Sequence, residues 1–454
     1  MAVDVFDESK PMWRILLVFL VPLILSTTLQ STAQTFVAIF LGRMLGVNAL
    51  AAISAIFPIV FLLFSFIIGL SSGSSVLIGQ AYGARDERRV KKVAGTMLGA
   101  TVLFACFTAL VGTLIAPSML AFLGTPPIVL PQAAAYARVI FIASPIIFIY
   151  LVYTTFLRGT GDSKTPLWFL IISNILTIAI TPAFIRGWLG LPHLGVVSAA
   201  VAGPLAQGVA LIMLFVFLTR TNHTLRFDRE MARDMRIDAT ILRQIIRIGI
   251  PTGIQVIMVS LAEIAIISFV NHFGKGATAA YGAVNQIVGY VQFPAISISI
   301  AASIFGAQCI GARREDKLNA VIRSAVTLNY LIGGVLIALC YGFAYAILGW
   351  FITDAQTLTM AHACLVVTLW GYLLFGNSAV LSGMMRSSGA VLWPTINGIA
   401  GICLVEVPTA YLFMRHFGLV GIWFCYPAYY LFMLVSNFIY YEFFWKKKTH
   451  ERFV

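Results

Sequence analysis

Gln80-Ala81-Tyr82-Gly83-Ala84-Arg85 closes a long apolar stretch, and Gln308-Cys309-Ile310-Gly311-Ala312-Arg313 closes another, 228 residues later. The same shift carries Gly46 and Ala49 onto Gly274 and Ala277, and Arg158 and Pro166 onto Arg386 and Pro394. Three separate loops sharing one offset imply a duplicated half, and a repeat of this length takes precedence over any local reading. Residues 1–220 and 241–454 are therefore expected as two lobes, joined over 221–240 by a polar linker rich in both charge signs.

Composition says what those lobes are made of. Of the 454 residues, 60% are hydrophobic and only 10% are charged, too little polar surface to coat a water-soluble fold of this size. Mean hydropathy is +0.94. Apolar runs of spanning length recur about twelve times, so the expected fold is an all-α polytopic membrane protein with twelve transmembrane helices, six to a lobe. An even number of spans per half makes both halves enter the membrane from the same side, related by a pseudo-two-fold along the membrane normal. The six cysteines are scattered through apolar segments without ligand spacing and read as small core residues.

The net charge of +13 raises nucleic acid as a partner, but its placement argues against it. Lys and Arg crowd into alternate loops, over 85–92, 220–247, 313–323 and 446–448, while the intervening loops hold only Arg43, Arg138, Arg186, Lys275 and Arg415. By the positive-inside rule the rich side is cytoplasmic, which places the chain in the cell membrane with both termini inside and membrane lipids as its neighbours. The chain opens with Asp4, Asp7 and Glu8 and runs straight into a full span, a pattern unlike a cleavable signal.

Polar residues inside the spans are the candidate functional positions, because lipid does not tolerate them without a partner. Ser26, Gln30 and Gln34 recur every four residues on one face of the first span, after Pro22. Pro251 opens the seventh span twelve residues before Glu263, as Pro22 precedes Gln34. A proline in a helix body removes a backbone hydrogen bond and favours a kink, usable as a hinge. Gln34, Gln255, Gln286, Tyr290 and Asn377 are the expected lining of a substrate cleft; packing between helices is the alternative reading for each. Arg158 to Pro166 resembles a phosphate loop only superficially, since it follows a helix and lacks the spacing.

Taken together, Gly46 to Ala52, the two Gln-x-x-Gly-Ala turns, Arg158 to Pro166 and Glu406-Val407-Pro408-Thr409-Ala410-Tyr411 resemble the multidrug and toxic compound extrusion (MATE) family over essentially the whole chain. The resemblance implies a twelve-helix secondary antiporter that exports amphipathic organic cations against inward Na⁺ or H⁺. Members of the DinF type carry aspartates in the first and fifth spans, where this chain has Val37 and Thr181. Members of the NorM type use a glutamate in the seventh span with an aspartate in the tenth; here the tenth offers Asn377.

The function expected is therefore export of small organic compounds, with no enzymatic activity, no cofactor or metal, and no required protein partner. A flippase for a lipid-linked saccharide is the alternative, disfavoured because no Lys or Arg sits at mid-membrane to hold a pyrophosphate. A membrane-embedded enzyme is a third, disfavoured because His193, His272 and His416 fall near helix ends without a catalytic cluster. Glu263 and Glu406 are the only carboxylates well inside the hydrocarbon, each nine residues from an outer helix end, or about 14 Å at ~1.5 Å per residue. Matched depth makes them the expected coupling site, for H⁺ in preference to Na⁺, which would want several further oxygen ligands. Two glutamates held neutral by hydrogen bonds between helices is the competing reading.

Overall fold

The computed structural model describes residues 3–190 and 192–453, apart from the side chains at 47, 48, 50 and 189. Part of the Gly46 to Ala52 motif therefore lies outside the described side chains. Among the described residues eleven helices are long and apolar enough to cross a membrane, and twelve if one bent pair is counted as a single span. In chain order they are α1 (Met12–Leu45), α2 (Val47–Gly83), α3 (Glu87–Phe122), α4 (Leu130–Gly159), α5 (Lys164–Arg186) and α6 (Val197–Arg220). The short linker helix α7 (Arg229–Asp234) precedes α8 (Ala239–Asn271) and α9 (Lys275–Gly311). Then come α10 (Glu315–Gly342), the pair α11 (Ala355–Thr368) and α12 (Gly371–Ser387), α13 (Leu392–Phe417) and α14 (Leu419–Trp445).

The duplication is written into the backbone as well as the sequence. Left-handed conformations recur at Gly46 and Gly274, Gly161 and Gly389, Gly190 and Gly418, and, among non-glycines, at Arg85 and Arg313. Both arginines stop a helix in the same way. Arg85 N–H donates to Tyr82 and Asp86 N–H to Ala81; Arg313 N–H donates to Ile310 and Arg314 N–H to Cys309. The opening hexads are thus helix C-caps, which explains why turn chemistry survived there while apolar positions drifted.

Two compact units result: Leu25–Gly249, and Val3–Ile24 with Ile250–Val454. Packing therefore divides the chain differently from its order. The first half of α1 belongs to the second unit, where Leu16, Phe19 and Leu20 join a core with Ile298, Phe305 and Met384, and the Phe19 and Phe305 rings lie 5.2 Å apart. The first turns of α8 belong to the first unit. A β-carbon on Gly73 would lie 2.6 Å from the Ile245 carbonyl, and one on Gly249 2.7 Å from Leu70 Cα. The small-residue run from Gly69 to Ser75 is what admits α8. Each exchange ends within three residues of Pro22 or Pro251.

The linker packs on the first unit. Tyr153 Oη donates to the Leu225 carbonyl at 2.7 Å, and Leu225 and Met231 are fully buried. Lys91 on α3 pairs with Asp228 (2.7 Å) and Glu230 (2.8 Å), Arg88 with Glu230 (2.7 Å) and Asp234 (2.8 Å), and Lys92 with Asp238 (2.7 Å). Burial pushes the Asp228 carboxyl up, but hydrogen bonds from the Lys91 ammonium and the Met231 N–H outweigh it and hold the group at about 2. A carboxyl depressed in the folded state stabilises above its unfolded value, near 4, and that contribution disappears as pH falls toward 2. Hydrogen exchange across 225–238 is thus expected to lose protection between about pH 4 and pH 2. At neutral pH, Lys91→Met should release the same segment while leaving protection of α4 intact.

The bend between α11 and α12 is 42° and has a local cause. Tyr341 Oη donates to the Val366 carbonyl (3.0 Å) and accepts from Trp370 N–H (3.2 Å), so a phenol is inserted where Val366 and Trp370 would pair in a straight helix. Segments near both ends of the chain meet the α9–α10 turn. Arg452 donates to the Gly311 carbonyl at 2.7 Å, and Glu8 faces Arg314 and Lys317 at 3.5 and 3.7 Å.

Candidate functional site

Glu263 and Glu406 both belong to the second unit, on α8 and α13. Their surroundings differ. Glu263 is half-buried and held by phenols: Tyr281 Oη on α9 donates to its Oε2 at 2.5 Å, and Tyr426 Oη on α14 lies 2.6 Å from Tyr281 Oη and 3.2 Å from the same carboxyl oxygen. The two phenol hydrogens suffice for the two shorter contacts, Tyr426 donating to Tyr281 and Tyr281 to the carboxyl. Hydrogen bonds in a chain of this kind polarise one another. Trp423, fully buried, stacks on Tyr281 at 5.6 Å and 9°, fixing the ring.

Glu406 is 4% exposed and ends a π-helical turn, Ile402–Glu406, inside α13. Among the described residues no hydroxyl, amide or cation donates to it. The groups around it that could titrate are Tyr372, Tyr429, Tyr430 and Cys425. The Tyr372 and Tyr430 rings pack edge-on at 5.2 Å, and Tyr429 leans on Tyr430 at 5.6 Å. These rings, with Tyr281, Trp423 and Tyr426, belong to one hydrophobic core.

The five polar positions expected to line a cleft divide three ways. Gln34, in the first unit, and Gln286 and Tyr290, on α9, are exposed. Gln255 is half-buried against α13, its amide nitrogen 3.1 Å from where a β-carbon on Gly398 would sit. Asn377 is 6% exposed; it accepts from Asn329 (3.1 Å) and donates to Tyr330 Oη (2.8 Å), closing a polar knot between α10 and α12. Thr181, where the DinF-type aspartate would be, donates to the Thr177 carbonyl at 2.6 Å. The sequence alone does not single out Tyr281 or Tyr426. Tyr426, Tyr429 and Tyr430 fall three and four apart on one helix face, a signal that is present but that also describes ordinary aromatic packing.

The MatE family model matches this chain twice, over 22–183 and 251–412, so that the two matches open on Pro22 and Pro251. The chain is 49% identical to the probable multidrug resistance protein YoeA of Bacillus subtilis (strain 168), over 98% of its own length and 97% of the relative's. It is 24% identical to the multidrug export protein MepA of Staphylococcus aureus (strain NCTC 8325 / PS 47), over 92% and 90%. Among solved structures, a MATE protein in complex with MaD3S superposes with a TM-score of 0.87 at 21% identity, covering 95% of each chain. An outward-facing multidrug resistance MATE family transporter of the MOP superfamily gives 0.87 at 22%, again over 95% of each.

Proposed function

The chain belongs to the MATE family of membrane transporters, and from that membership we propose that it exports amphipathic organic cations from the cell by alternating access, driven by entering H⁺. The observation that carries this reading is the enclosure of Glu263 and Glu406 in one unit of the fold, at one hydrophobic core that takes in their neighbours Ala262 and Val407. No other carboxylate of the chain lies deep in a span. Export of several unrelated drugs is supported by the names of the relatives; coupling is supported by the cost of an ionisable pair in hydrocarbon, which a purely structural role would not require. Gln34, Gln286 and Tyr290 are the proposed substrate contacts, since an apolar cation needs aromatic area and a few polar groups. Gln255, half-buried against α13, and Asn377, bound to Asn329 and Tyr330, are proposed to shape helices of the second unit. The basic ends of the units, with both termini, are proposed to face the cytoplasm.

Proton coupling is supported over sodium because the groups hydrogen-bonded around Glu263 are two phenols, a smaller oxygen set than a metal ion wants, with Tyr281 donating to the carboxyl. The test uses the whole chain in proteoliposomes, with pH and Na⁺ gradients imposed separately and ethidium and tetraphenylphosphonium as probes. Transport is expected with the pH gradient alone. Transport with Na⁺ alone would reassign the coupling ion, and transport of neither probe under either gradient would defeat the reading of the substrate class.

A further inference from the structure

We infer that the two carboxyls are not equivalent: Glu406 carries the exchanged proton, and Glu263 is the standing anion, pinned by Tyr281 and Tyr426 acting as positioning residues. The inference rests on the coupling-site reading above and assigns roles within it.

The contrast in hydrogen bonding makes the assignment. A carboxylate in an apolar interior is tolerated only where donors satisfy it, and Glu263 has a phenol at 2.5 Å that is itself backed by a second phenol at 2.6 Å. Glu406 has neither donor nor cation around it among the described residues, is more deeply buried, and lies at the same core as Glu263, one that takes in their chain neighbours Ala262 and Val407. Two like charges within reach of each other in such a place are not both maintained, so the pair holds one proton between them. That proton belongs on the carboxyl with no donors. Removing it creates an unpartnered second anion, a state that the structure as it stands does not accommodate, so proton loss is tied to rearrangement around α13. The π-helical turn that ends on Glu406 is the place where α13 has a spare residue with which to rearrange. Glu263, half-buried, is the carboxyl open to a cation arriving from outside the unit.

The test is infrared spectroscopy of the full chain in lipid nanodiscs, which reads protonated carboxyls directly and needs no substrate. At pH 7 one deuterium-sensitive band from a protonated carboxyl without hydrogen bonds is expected. It should vanish in Glu406→Gln and persist in Glu263→Gln and Tyr281→Phe. Each variant changes no more than a hydroxyl or an oxygen, and a melting curve for each confirms that it folds. A band lost in Glu263→Gln and kept in Glu406→Gln would reverse the roles, and a band unaffected by either would overturn the inference. If Glu406→Gln removes the band yet transports on a pH gradient at the wild-type rate, the protonation assignment stands and the coupling-site reading fails.

Discussion

Replacing either Glu263 or Glu406 by glutamine is expected to slow pH-driven efflux by roughly a hundredfold or more, equivalent to about 3 kcal/mol of barrier. Glutamine keeps the shape and most of the hydrogen-bonding capacity of each side chain and removes only its ability to ionise. The loss should be much the same in the double variant, because two groups that exchange one proton act as a unit and their effects do not add. Efflux measured in everted vesicles with an imposed pH step decides the matter. Wild-type rates in both single variants would leave the glutamates as structural polar contacts. Strictly additive losses would mean that each acts on its own.

The candidate site is only partly legible in the sequence. Counting charges along the spans isolates Glu263 and Glu406 at once, because an ionisable residue in an apolar run is conspicuous. Their difference was not legible, since it depends on Tyr281 and Tyr426, which come from α9 and α14, and tyrosine in an apolar helix is as compatible with packing as with donating a hydrogen bond. Helix count and the repeat followed from periodicity and from turn residues fixed by backbone conformation, Gly46 with Gly274 and Arg85 with Arg313. The exchange of the first half of α1 and the first turns of α8 between units was hidden for a related reason: an apolar helix face says that it is covered, and not by what. The bend in the tenth span was hidden as well. Gly371 stands at the break, but a single glycine in an apolar run is not specific to a bend, and the inserted group, Tyr341, stands in a different helix.

Gly306→Ile is expected to destabilise the second unit by ~2–4 kcal/mol, and Ser387→Gly to restore most of that loss in the double variant. The reasoning comes from the repeat. In the first unit a β-carbon on Gly159, the last residue of α4, would meet the Ile78 side chain of α2 at 3.0 Å. The equivalent residues in the second unit, 228 positions on, are Ser387 at the end of α12 and Gly306 in α9, and here a β-carbon on Gly306 would meet Ser387 Oγ at 2.8 Å and its Cβ at 2.9 Å. One helix contact has thus been kept in both halves with the small residue on opposite sides. Ile at 306 alone collides with Ser387 and with Met384 Sδ, 2.7 Å from the new β-carbon. The methionine is flexible and can withdraw, whereas Ser387 is fully buried and its hydroxyl is already bound to the Met384 carbonyl at 2.6 Å. Removing the serine side chain recreates the isoleucine-on-glycine packing that α2 and α4 already use. Gly282→Ala, with no atom within 4 Å of the added carbon, serves as the neutral control. Melting temperatures of the four proteins in detergent should show a coupling of more than about 1 kcal/mol between positions 306 and 387. Independent, additive losses would mean that the two halves no longer share this contact in any functional sense, and that the match in position survives from the duplication without the packing that once required it.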